Sequence, residues 1–162
     1  MHYWRKGMID ALRRTAADAS GDEALDAYAT YCQLREQGLR KQALAHVADL
    51  AGRLSEEPFL RRQRFVGWVL RQSLEGQQPS DGMLLLPYPL VRRLIEPTVL
   101  DWTRWEPENP EPHFWLGMLS SGHGTHTIFV RAAAQNFRDA LARDPSYEPA
   151  LQGLIRLEQR FG

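Results

Sequence analysis

Small and aromatic residues recur at helical spacing through residues 112–147, and this pattern constrains the fold more than any other feature of the chain. The positions concerned are Gly117, Ala133, Phe137 and Ala140. Alanine and glycine let two helix axes approach closely, and an aromatic ring fills the space that remains. We therefore predict two antiparallel helices here. The second should end at Asp144, because proline disfavours a helical conformation in the residue before it and residue 145 is a proline.

The rest of the chain carries the same helical signal. Apolar residues recur every third or fourth position in several further segments, and no run alternates between apolar and polar residues. Ser20 to Glu23 has the form of a capping box at a helix start, and Gly38 is typical of a helix end. We expect an irregular stretch after residue 84, followed by a helix from about Pro89 that is kinked or restarted at Pro97.

These signals predict an all-α fold of about seven to eight helices in one domain, residues 1–162. Its parts are helical hairpins at about 22–54, 57–105 and 112–144, with a C-terminal capping helix at 147–161. Residues 75–81, EGQQPSD, are polar and contain glycine and proline, so we predict a loop there.

The residues of the C-terminal hairpin resemble the tetratricopeptide repeat. Leu116-Gly117 stand for the family's Leu-Gly pair, and Ala133, Phe137, Ala140 and Pro145 match its second helix and turn. About four extra residues separate Gly117 from Ala133, which departs from the family pattern. The resemblance implies a short α-solenoid and a role as an adaptor, scaffold or chaperone-like protein. A non-repetitive helical bundle is the main alternative.

Charge and cysteine content exclude several classes of function. The chain of 162 residues has 20 basic and 20 acidic side chains, so no overall charge favours nucleic acid or an anionic membrane. Cys32 is the one cysteine and therefore has no disulfide partner within the chain. The N-terminal stretch lacks the continuous apolar run of a secretory signal. We predict a cytoplasmic protein that binds neither nucleic acid nor membrane.

Three histidines suggest one catalytic alternative. His123 and His126 are three residues apart in a Gly- and Thr-rich segment, and together with His113 they can supply imidazole ligands to zinc. This pattern indicates, as an alternative, a helical metal-dependent enzyme. Glycine and threonine equally suit a turn between two helices, and no nucleophile elbow or phosphate-binding loop is present. We therefore predict that the protein is not an enzyme and needs no metal or cofactor.

An arginine stripe provides the candidate binding site. Arg61, Arg64, Trp68 and Arg71 share one face of a predicted helix, where they can hold an acidic peptide through charge-assisted hydrogen bonds and stacking. We expect a non-enzymatic protein–protein interaction module that binds a peptide or helix of a partner protein. The alternative is that the arginines pair with carboxylates of the chain itself or stay solvated.

Two further apolar features suggest contacts with partners. Trp4, Met8, Leu12 and Ala16 form a stripe on an N-terminal helix, which either packs on its own domain or forms a homodimer. Trp102 and Trp105 lie directly before a proline-rich acidic segment and either fill the core or form an exposed anchor.

Overall fold

The computed structural model describes residues 6–18, 22–74, 86–121 and 127–161. These residues form eight helices and no strand, which confirms the all-α prediction and the helix number. The first four helices are α1 (Lys6–Asp18), α2 (Glu23–Glu36), α3 (Arg40–Ser55) and α4 (Phe59–Leu74). Helix α5 combines Tyr88–Leu90, Val91–Ile95 and Glu96–Trp105, and α6 (Pro110–Ser121), α7 (Thr127–Arg143) and α8 (Glu148–Phe161) follow.

The chain divides into two compact units, Met1–Thr98 and Val99–Gly162. The single domain and the three hairpins proposed from the sequence stay predictions. The predicted loop at 75–81 lies outside the described residues. None of the described helices has both the length and the apolar character needed to cross a membrane.

Helix α5 contains an irregular turn directly before Pro97, the residue at which the sequence predicts a kink or a restart. The helix begins at Tyr88 and continues through Pro97, but Val91–Ile95 form a π-helical turn in which the Glu96 N–H donates to the Val91 carbonyl. Proline has no N–H to donate, and its ring crowds the carbonyl four residues earlier. A wider turn directly before Pro97 accommodates both effects without ending the helix.

The connection between α2 and α3 confirms the helix end expected at Gly38. Gly38 has a backbone φ angle of 80°, which residues with a Cβ atom rarely adopt. Its N–H donates to the Arg35 carbonyl at 3.0 Å, and the Leu39 N–H donates to the Leu34 carbonyl at 2.9 Å. This pair of bonds is a Schellman motif, which satisfies the last carbonyls of α2 and directs the chain into α3.

The first unit is built around α2 and the aromatic ring of Tyr28. Helix α2 packs against α1 and α3. The Tyr28 ring is fully buried and lies 5.3 Å from Tyr31, 5.7 Å from Phe65 and 5.9 Å from Trp68, measured between ring centroids. The last two contacts are edge-to-face and join α2 to α4. His46 adds a polar link, because its Nε2 atom lies 2.7 Å from the Ala27 carbonyl oxygen and ties α3 to α2.

The second unit is built around α6, α7 and the ring of Phe137. Ala133, Phe137 and Ala140 of α7 are at most 1 % exposed, and Gly117 of α6 is also buried. Helix α8 packs on both α6 and α7. The small and aromatic positions of the C-terminal stretch therefore face the interior, as the spacing predicts. Burial alone does not distinguish a tetratricopeptide repeat from another helical hairpin, so the repeat stays a prediction.

Candidate partner-binding groove

The arginine stripe lines a groove in the first unit. The groove has a volume of about 700 Å³ and lies between the first turns of α2, the C-terminal end of α3 and one face of α4. All four residues chosen from the sequence contribute to it: Arg61, Arg64, Trp68 and Arg71. Its size is within the roughly 300–1,000 Å³ of typical ligand pockets.

Apolar side chains from three helices also line this groove. Leu50 and Leu54 come from α3, Ala24 and Ala27 from α2, and Phe65 and Trp68 from α4. Leu50 is 2 % exposed and Phe65 is 3 % exposed, whereas Trp68 is half-buried. The edge-to-face contact with Tyr28 holds the Trp68 indole in place. Leu50 and Phe65 therefore form the buried base of the groove, and the apolar surface open to a partner comes from the half-buried Ala24, Ala27, Leu54 and Trp68.

The polar groups of the groove include both arginines and carboxylates, and two of the arginines lie near a carboxylate. Arg61 Nη1 lies 3.6 Å from Glu57 Oε2, and Arg64 Nη2 lies 4.0 Å from Asp22 Oδ2. The side chains of Arg61 and Arg64 are 75 % and 78 % exposed. Ion pairs this long and this exposed contribute about 0–1 kcal/mol, so a ligand carboxylate can replace them at little cost.

Asp22 has a second role that sequence reasoning assigned to Ser20. Its side chain accepts a hydrogen bond of 2.8 Å from the Ala24 N–H, and its backbone is extended, so Asp22 is the N-cap of α2. Ser20 lies outside the described residues. Because the backbone of α2 already holds the Asp22 carboxylate, its weak contact with Arg64 is secondary.

Arg71 extends the cationic side of the groove toward the end of α4. A Cβ atom added to Gly67 would lie 3.5 Å from Arg71 Nη1, which places the guanidinium directly over the glycine. Arg71 therefore lies along the helix surface, one turn from Trp68. The stripe could be predicted from the sequence because all of its residues lie at helical spacing on one helix.

Sequence reasoning missed the contributions of the other helices to the groove. Arg53, Leu50 and Leu54 come from α3, and Asp22 and Glu23 from the start of α2. No pattern along the chain links these residues to Arg61 or Trp68, since packing between helices alone brings them together.

The histidines chosen for a metal site are described only in part. His123 and His126 lie outside the described residues. Within the part of the chain that the structure describes, no group of three or more His, Cys, Asp or Glu side chains is placed to hold a metal ion. The pKa of His113 is lowered mainly by burial and further by the positive charge of Arg143, against an opposing effect of Asp139.

The remaining candidates lie in different environments. Trp102 is buried and 2 % exposed, whereas Trp105 is 67 % exposed. Cys32 is fully buried, and burial raises the pKa of its thiol to about 12. In the N-terminal stripe, Leu12 is buried within the chain, and Trp4 lies outside the described residues. A homodimer through this helix stays a prediction.

Comparisons with protein-family models, with curated proteins and with solved structures give no match for the chain.

Proposed function

We propose that this protein is a non-enzymatic interaction module whose groove binds a peptide or helix of a partner protein. The observation that supports the proposal is that an apolar surface and four arginines line one preformed groove. Apolar anchors surrounded by exchangeable charged groups are characteristic of protein-binding sites, where arginine and tryptophan contribute much of the affinity.

The mixed charge of the groove favours a protein ligand over nucleic acid. Asp22, Glu23 and Glu57 line it together with the arginines, and their carboxylates repel a phosphate backbone. A protein segment with its own carboxylates can pair with the arginines one by one, which a continuous row of phosphates cannot do without meeting the acidic groups.

We further propose a tetratricopeptide-like arrangement of helical hairpins. The spacing of Ala133, Phe137 and Ala140 along the sequence supports it, and their burial on one helix face agrees with the repeat. Solenoids of this kind expose extended surfaces because each hairpin contacts only its neighbours. A binding groove formed by consecutive helices agrees with that architecture.

Affinity capture with a groove variant tests the proposed function. Arg61→Glu combined with Arg64→Glu reverses two exposed charges of the groove, and Arg40→Glu combined with Lys41→Glu reverses two exposed charges at the start of α3. We expect a protein from the native cell to be retained by the wild type and by the α3 control but lost by the groove variant. Its binding segment should then compete with the intact protein in calorimetry.

Equal retention by all three proteins would contradict the role of the groove. Circular dichroism on the same samples shows whether each variant keeps its helical content, so that loss of binding is not confused with loss of structure.

A further inference from the structure

The turn after α5 presents a tryptophan and a carboxylate to solvent in a fixed conformation. Trp105 is 67 % exposed at the end of α5, and Glu108 is exposed three residues later. The Asn109 N–H donates to the Glu106 carbonyl at 3.1 Å, which closes a tight turn. We call residues 105–109 the acidic tryptophan turn.

A second helix holds this turn in place. Arg143 of α7 donates from Nε to the Pro107 carbonyl at 3.0 Å and from Nη1 to the Asp139 carbonyl at 3.0 Å. Pro107 restricts the backbone further, since its φ is set by the ring. A segment that is ordered before binding loses little conformational entropy when it docks, which favours its use as a ligand.

The chemistry of the turn complements that of the groove. The groove combines half-buried apolar side chains, Ala27, Leu54 and Trp68 among them, with exposed arginines whose own ion pairs are 3.6 Å and 4.0 Å long. The turn supplies one large apolar anchor and an adjacent carboxylate. Tryptophan and arginine are the residues that most often dominate the energy of an interface.

We propose that the groove of one copy binds the acidic tryptophan turn of a second copy of this chain. Trp105 packs against Leu54 and Trp68, and Glu108 replaces Glu57 or Asp22 as the partner of Arg61 or Arg64. This inference rests on the proposed function, because it names the occupant of the same groove. The contact joins two different surfaces, so it is head-to-tail and adds further copies in a chain or a ring.

Complementation between two variants tests this proposal. The groove variant is Arg61→Glu with Arg64→Glu, and the turn variant is Trp105→Ala with Glu108→Arg. In sedimentation equilibrium, we expect the mass of the wild type to rise above 18.6 kDa with concentration, up to about 0.5 mM, and to fall toward 18.6 kDa at high salt. Each variant alone should stay at 18.6 kDa.

The mixture of the two variants gives the decisive result. In the mixture, the turn variant keeps an intact groove and the groove variant keeps an intact turn. We therefore expect a dimer of one groove variant with one turn variant, and this dimer cannot add further copies. Formation of this dimer also shows that both variants are folded. The charge reversal Arg40→Glu with Lys41→Glu changes residues that belong neither to the groove lining nor to the acidic tryptophan turn, so it should associate like the wild type.

Three outcomes would overturn the proposal: a wild type that stays at 18.6 kDa, a groove variant that still associates, or a mixture without the dimer. A monomeric wild type that still captures another protein through the groove would remove the self-docking proposal and leave the proposed function intact. A wild type that associates with itself through the groove and captures no other protein would identify the second copy as the occupant.

Discussion

A Cβ atom added to Gly117 would lie 2.5 Å from Cε1 of the Phe137 ring, closer than real Cβ atoms approach a neighbour. The same ring is 2.7 Å from the Cβ position of Gly153, measured to Cζ. Phe137 of α7 therefore occupies the space that side chains on α6 and α8 would need. Three helices of the second unit meet around one ring.

We expect Gly117→Ala to destabilise the protein by roughly 1–3 kcal/mol, because the added methyl group forces Phe137 to move within a packed core. Urea unfolding measures the change. Gly52→Ala is the matched control: Gly52 lies inside α3 with nothing within 4 Å of its Cβ position. It should stabilise the protein by up to about 1 kcal/mol through helix propensity. A larger loss at Gly52 than at Gly117 would contradict this packing.

The N-cap of α2 predicts different effects for two substitutions of Asp22. Asp22→Ala removes the acceptor for the Ala24 N–H and should cost roughly 0.5–2 kcal/mol in free energy of unfolding. Asp22→Asn keeps a capping oxygen and loses only the exposed 4.0 Å contact with Arg64, so it should be nearly neutral. Equal losses in thermal or urea unfolding would mean that the ion pair matters more than the cap.

Burial of Cys32 predicts an unreactive thiol and a loss of stability at alkaline pH. The folded state keeps the thiol protonated to a pKa of about 12, whereas the unfolded chain releases the proton near 9. The contribution is complete well below pH 9 and is lost progressively as the pH rises from about 9 toward 12. Ellman's reagent should react with native protein at pH 8 only at the rate of unfolding.

Cys32→Ala isolates this contribution. Between pH 9 and 10 its stability should fall less steeply than that of the wild type. Buried Tyr28 and Tyr31, whose phenol pKa values are also raised by burial, affect both proteins at higher pH. Parallel slopes in this interval would show that the thiol is accessible in the native state.

His113 predicts a loss of stability in mild acid. Its folded-state pKa is lowered from 6.5 by burial and by Arg143, so the unfolded chain takes up a proton first as the pH falls. Stability from this group is complete above about pH 6.5 and decreases below it. We expect His113→Gln to make the free energy of unfolding less dependent on pH between pH 7 and 5. An NMR titration that gives His113 a pKa of 6.5 or higher would contradict the prediction.

Local patterns along the chain determined the helices and their faces. The spacing of Ala133, Phe137 and Ala140 correctly predicted a buried face of α7, and Gly38 correctly marked the end of α2. These features depend on helical periodicity and on backbone conformation, which neighbouring residues control. The stripe of Arg61 and Trp68 was visible for the same reason, since one helix carries it.

Tertiary packing decided the rest of the site. Asp22, Leu50 and Arg53 reach the groove only because α2 and α3 pack beside each other and Tyr28 joins α2 to α4. Likewise, the sequence left Trp102 and Trp105 equivalent, but the structure buries the first and exposes the second. The sequence alone determined which residues share a helix face. Contacts between distant segments, which no local periodicity encodes, decided which faces meet and which remain open to a partner.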